Sequence, residues 1–164
     1  LLAETKKIKI PSSNLQASKL SDIGFVGQPH KINKELLNWL LQSDLVPVIS
    51  PIGFDKSFET FNINADIMAG SVASNINSER LILLTDVDGV LDKKGNLLTE
   101  ISLNDIKKLI KNGTISGGMI PKIETCVNAV REGVKAAVIL NGKVPHAILL
   151  EIFTERGVGT LITS

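Results

Sequence analysis

The chain contains no tyrosine, one tryptophan and five phenylalanines among its 164 residues, so aliphatic side chains must build whatever core it has. A single cysteine, Cys126, excludes an intramolecular disulfide and fits a reducing compartment. Charge of one sign is also lacking. Eighteen basic residues stand against 17 acidic ones, the formal net charge is +1, and no basic arm is concentrated anywhere, which argues against a nucleic-acid partner. No apolar run approaches the ~20 residues that a membrane-spanning helix requires, so no membrane partner is expected. With 43% hydrophobic residues and this low net charge, disorder is excluded, and the length suits one globular domain with a sizeable core.

What is present is a regular alternation. Lys6 to Ile10 reads as an edge strand, Pro11-Ser12-Ser13-Asn14 as a turn, and Asp22 to Gly27 as a short strand. Asn33 caps a helix carrying Leu36, Leu37, Leu40 and Leu41. Val46-Pro47-Val48-Ile49-Ser50 is expected as a buried strand ended by Pro51 and Gly53. A small-residue helix over Ala65 to Ser74 and a strand over Arg80 to Thr85 follow. Ser102 and Asp105 frame a helix closed by Gly113. Pro121 opens another, closed by Gly133. Lys135 to Leu140 is a strand, Pro145 starts a helix through Phe153, and Gly159 to Ile162 ends the chain as a strand. Strands apolar on both faces between amphipathic helices predict an α/β fold, a mainly parallel sheet sandwiched between helices. Ligands are then expected in the loops after Ser50, Thr85 and Leu140.

Three segments can carry chemistry. Asp86-Val87-Asp88-Gly89, after a strand, resembles the nucleophile motif of haloacid-dehalogenase-type phosphatases. That chemistry needs a second acidic cluster downstream, and Asn141-Gly142-Lys143 supplies none, so the aspartates read more simply as turn formers. Asn62-Ile63-Asn64-Ala65-Asp66 precedes a helix. One amide suffices as a cap, and a second pointing the same way suits a carboxylate or amide ligand. Ser116-Gly117-Gly118-Met119-Ile120-Pro121-Lys122 places two glycines before a helix start, where backbone donors favour anions. Lys122 in that first turn is opposed by the helix dipole unless an anion joins it. The spacing is not that of a P-loop. His30 reads as a surface residue, His146 as a first-turn packing residue, and two isolated histidines make no metal signature. Cys126 reads as a buried, inert thiol.

Val46 to Gly53, Asn62 to Asp66, Leu83 to Leu91 and Gly117 to Lys122 follow one another in an order that resembles the amino-acid kinase family. Pro145 to Glu151 with Gly157 to Thr160 resembles its arginine-inhibited, acetylglutamate-phosphorylating branch. The resemblance implies phosphoryl transfer from ATP to the side-chain carboxylate of N-acetyl-L-glutamate, with Mg2+ carried by the nucleotide and no protein metal site. It assigns Asn62 and Asn64 to the substrate, Lys122 to charge on the transferring phosphoryl group and Asp66 to orienting the catalytic lysines. Thr85, Asp86, Val87, Gly117, Gly118 and Met119 border the nucleotide. His146, Glu155 and Gly157 fall to arginine as effector. It further implies a homo-oligomer, a PII-type nitrogen-signalling partner, and a cytoplasmic or plastid-stromal location.

Family members carry an amino-terminal half with a glycine-rich phosphate loop, a second catalytic lysine and a glycine pair, none of which is found before Asp22. With Leu1 rather than Met as first residue, the expectation is a carboxy-terminal portion of a longer kinase. Residues 1–21 would be a remnant of the preceding lobe or a linker, and 22–164 the nucleotide-binding lobe. Two alternatives stand beside this reading. One is a regulatory module that binds nucleotide or arginine without catalysis. The other is a relative acting on glutamate, aspartate or uridylate.

Overall fold

A computed structural model describes residues 3–11, 20–154 and 157–164. They form two compact units, Leu1–Ile76 and Asn77–Ser164. The division falls at Ile76/Asn77. The boundary expected at residue 21 instead lies inside strand pairing, because β1 (Ala3–Pro11) and β2 (Leu20–Ile32) run antiparallel from Ala3↔Ile32 to Pro11↔Leu20. The expected turn at residues 12–14 lies outside the described residues.

In the first unit, α1 (Lys34–Gln42) begins where Asn33 predicts, its Oδ1 accepting from Leu36 N at 3.0 Å. Strands β3 (Ile52–Phe54) and β4 (Thr60–Ile63) make a hairpin. The Asp55 carboxylate closes its loop by accepting from Ser57 N and Glu59 N. The four strands close into a small barrel, β1-β2-β4-β3, and α2 (Ala65–Asn75) packs on β2. Ile32, Leu37, Ile63 and Met68 are buried in one cluster, with Ile49, Val72 and Ile76 packed against them, and Phe61 is buried as well. The expected strand over Val46 to Ser50 is not formed. Pro47 has no N–H to donate, no strand among the described residues pairs with the segment, and Val46 and Val48 are 88% and 98% exposed.

The second unit is a four-stranded sheet, β5-β7-β8-β6, made of β5 (Arg80–Thr85), β6 (Glu100–Ser102), β7 (Ala136–Asn141) and β8 (Thr160–Thr163). β5 and β7 are parallel, as are β6 and β8, while β7 and β8 are antiparallel. The α/β class is therefore as expected, and the sheet is mixed. Val138 and Leu140 share a cluster with Ala147 at the start of α5 (Ala147–Phe153). Alternation turns Ala137 and Ile139 to the opposite face, and all four are fully buried, so β7 is covered on both sides. Helix α4 (Met119–Arg131) lies across β5, β7 and β8 with Ile123, Cys126, Ala129 and Val130 buried.

Helix α3 (Leu103–Lys111) starts after Ser102, but that hydroxyl does not cap the backbone. It donates to Asp105 Oδ2 at 2.7 Å and, with Lys108, holds the Asp105 carboxyl below its ordinary value. Gly113 and Gly133 both have positive φ, as the helix ends require. Pro121 is the third residue of α4 rather than its first, still within the turn whose N–H groups have no helical partner.

Gly89, with φ +141°, lets the chain pass so close to β8 that an added Cβ would lie 2.5 Å from Thr160 Oγ1. That hydroxyl, fully buried, accepts from Val90 N at 2.8 Å. Thr160→Val keeps the shape and deletes the acceptor, leaving a buried N–H unsatisfied. It is expected to destabilise the second unit by ~1–3 kcal/mol, measured from the shift of its urea transition. An unmoved transition would show that Val90 N–H has another partner.

Candidate functional sites

Two of the loop regions expected to collect ligands, after Thr85 and after Leu140, lie beyond β5 and β7. The two strands pair in register from Arg80↔Ala136 to Thr85↔Asn141, so their carboxyl ends finish level and their loops leave side by side. Gly142 N donates to Thr85 O at 2.8 Å, one last backbone bond after the ladder. Thr85 Oγ1 donates to Asp86 Oδ1 at 3.3 Å, and Asn141 Nδ2 to Asp88 Oδ1 at 2.8 Å. Asp86, Val87 and Asp88 are exposed. The aspartates thus do more than form a turn. Asp88 is tied to the neighbouring loop by Asn141, a residue that sequence reasoning noted only for not being acidic.

Before α4, Met119 N donates to Ser116 O and Ile120 N to Gly117 O, a tight turn that needs the positive φ of +54° at Gly117. Gly118 occupies the cap position and offers no side-chain acceptor to the helix. A Cβ on either glycine would meet nothing within 4 Å, so the backbone here is open to a ligand. Lys122 is the fourth residue of α4 and half-buried, in the first turn as expected.

In the first unit, Asn64 is the cap. Its Oδ1 accepts from Asp66 N at 2.9 Å and Ile67 N at 3.2 Å, which leaves its Nδ2 as donor for something else. Asn62 stands on the exposed face of β4, between buried Phe61 and Ile63, and takes no part in the cap. One amide therefore does the structural work, and the second is not required by it. Asp66 is half-buried in the first turn of α2, where the helix dipole favours a carboxylate.

Of the three effector candidates, Glu155 lies outside the described residues. Gly157 lines a cavity of about 270 Å³ together with Arg80, Thr99, Glu100, Glu151 and Thr154. His146 does not line it. Nor is His146 a packing residue, since it sits exposed in a left-handed conformation at the cap of α5. The residue that sequence reasoning missed is Glu151. Its side chain is only 7% exposed, Oε2 accepts from Val158 N at 2.9 Å, and Oε1 lies 3.6 Å from Arg80 Nη1. Gly157, with φ +56°, is required beside it, because a Cβ would come within 2.5 Å of Oε2. The available signal was a lone carboxylate on the buried face of an apolar helix, six residues before a glycine. His30 is exposed and Cys126 buried, both as read.

The amino acid kinase family model matches residues 1–141. The acetylglutamate kinase of Nitrobacter winogradskyi is 53% identical over 158 residues, 96% of this chain and 52% of the relative. That of Bartonella tribocorum is 54% identical over 154 residues, covering 94% and 50%. The chain thus spans about half the length of the curated relatives it matches. Among solved structures, N-acetylglutamate synthase from Neisseria gonorrhoeae, complexed with coenzyme A and L-arginine, superposes with a TM-score of 0.87. The identity there is 26%, over 99% of this chain and 36% of the synthase. Carbamate kinase from Giardia lamblia, bound to AMP-PNP, shares the fold at a TM-score of 0.65 and 20% identity, over 94% of this chain and 52% of that one.

The division of labour between the two asparagines is testable. Asn64→Ala is expected to cost ~1 kcal/mol of stability through the lost cap, and Asn62→Ala to leave the urea midpoint unchanged. Equal losses in both would show that Asn62 also has a structural role.

Proposed function

Because the chain belongs to the amino acid kinase family, we propose that it is the portion of an acetylglutamate kinase that holds the nucleotide and part of the substrate. The whole enzyme would transfer the γ-phosphoryl group of Mg·ATP to the side-chain carboxylate of N-acetyl-L-glutamate. The observation that carries the reading is the identity of more than half of the aligned residues with two acetylglutamate kinases across nearly the whole chain. An acceptor carboxylate is ionised near neutral pH and needs no general base, so the protein's task is positioning and charge neutralisation. The residues suit that task. Asn62 presents its amide, and Asn64 still has Nδ2 to donate after its Oδ1 has capped α2. Lys122 brings positive charge to the phosphoryl group, and Asp66 supplies a carboxylate at the start of α2. Thr85, Asp86 and Val87 flank the nucleotide from one loop. Gly117, Gly118 and Met119 do so from another, where an open backbone admits the phosphates.

Arginine as a feedback effector finds support at the cavity beside Gly157. Glu100 and the buried Glu151 carboxylate supply negative charge for a guanidinium. Glu151 and Gly157 are then the residues of choice, in place of His146.

These 164 residues are expected to bind ADP with little turnover, followed by calorimetry and by coupled ADP release in the presence of acetylglutamate. Robust turnover would overturn the need for a further half. In an active polypeptide that contains these residues, Lys122→Ala is expected to lower kcat by roughly 100- to 1,000-fold, where a merely solvated lysine would change little. L-Arginine is expected to raise the melting temperature of the parent and not of Glu151→Gln. A shift of the same size in both would remove the cavity as its site.

A further inference from the structure

Asn141 occupies the last rung of the parallel β5–β7 pair, opposite Thr85. Past this rung the ladder gives out, and two loops must run side by side with a single backbone bond, Gly142 N to Thr85 O, between them. The Asn141 side chain supplies the rest. Its Nδ2 donates to Asp88 Oδ1 at 2.8 Å across the gap, and its Oδ1 accepts from Lys143 N at 2.9 Å within its own loop. A primary amide donates from one atom and accepts at another, so one short side chain serves both loops at once. A carboxylate in its place could still accept from Lys143 N, but it would set two acceptors with like charge face to face at Asp88.

The loop 86–89 is pinned in three places. Thr85 Oγ1 holds Asp86 at the near end. Buried Thr160 holds Val90 N at the far end, where Gly89 has no room for a side chain. The middle, Asp88, is held only from outside, by Asn141. Val87 stands between the Asp86 and Asp88 pins, and both Asp86 and Val87, assigned above to the nucleotide, are exposed. Fixing the loop before the ligand arrives reduces the ordering cost of binding. We infer that Asn141 is a positioning residue for the nucleotide. Through its bond to Asp88 it sets the shape of the 86–89 loop without touching the ligand. This rests on the nucleotide reading above and names the residue that tunes its affinity.

The test titrates Mg·ADP into the 164-residue chain and its variants by calorimetry, with a melting curve for each. Asn141→Asp is expected to weaken binding about tenfold, the scale of one lost hydrogen bond to a charged group. Asp88→Asn keeps an acceptor at that position and is expected to bind as the parent does. The double variant, D88N/N141D, faces donor to acceptor again with the roles exchanged, and is expected to return affinity to within about twofold of the parent, a non-additivity that only direct coupling produces. Asp88→Ala approaches the same bond from the other loop and is expected to weaken binding to a similar degree, which keeps the test decisive if Asn141→Asp melts early. Parent-like affinity in both Asn141→Asp and Asp88→Ala overturns the inference, as does a double variant no tighter than Asn141→Asp. A parent chain that binds no ADP overturns the nucleotide reading itself, and the inference with it.

Discussion

The parallel pairing of β5 with β7 is the constraint on which the second unit depends. Six consecutive rungs join Arg80–Thr85 to Ala136–Asn141, and β7 is covered on both faces. Such a strand tolerates no slip, because moving it by one residue would exchange the side chains that meet α5 with those turned the opposite way. The register in turn places Thr85 beside Asn141, and with them the loops that follow. The proposed nucleotide loop is therefore a consequence of core packing. Val138 and Leu140 against Ala147 decide where Asp86 and Asp88 stand.

Around that ladder, a few polar groups with defined partners finish what apolar packing leaves open. Thr160 is fully buried in a region of aliphatic side chains, and it stays there because its hydroxyl accepts from Val90 N. Glu151 is buried in the same way, by a backbone N–H and an arginine. Gly89 and Gly157 are matched to these two residues, each leaving space where a Cβ would collide with the polar atom. Both anchor a segment that carries candidate ligand contacts. In the first unit Asn64 has the corresponding role, since its cap fixes the start of α2 and with it Asp66.

Much of this was legible in the residues. Asn33 as a cap, a cap within Asn62 to Asp66, Gly113 and Gly133 as helix ends, and the strands at Arg80–Thr85 and near Ala136 follow from local rules that depend on neighbours three or four positions away. The readings that failed needed distant partners. Val46 to Ser50 has the composition of a buried strand, yet a strand exists only if another pairs with it, and among the described residues none does. Ser102 has the residue type of a cap, but Asp105 and Lys108 form a better-matched cluster for its hydroxyl. His146 looked like a packing residue after a proline, whereas the chain turns through a left-handed conformation there and leaves it exposed.

By itself the amino-acid sequence determined the α/β class, the helices, the strands at Arg80–Thr85 and near Ala136, and the residues whose order resembles a kinase, though not β3, β4 or β6, because periodicity, caps and glycines act over a few residues and motifs survive as short strings. The tertiary structure alone decided that β2 joins β1 across residue 21, that Glu151 is a buried carboxylate beside a cavity and that Asn141 reaches Asp88. Those facts join positions separated along the chain, 53 residues in the last case. Such a contact is set by strand register and core packing, which no local pattern of residues expresses.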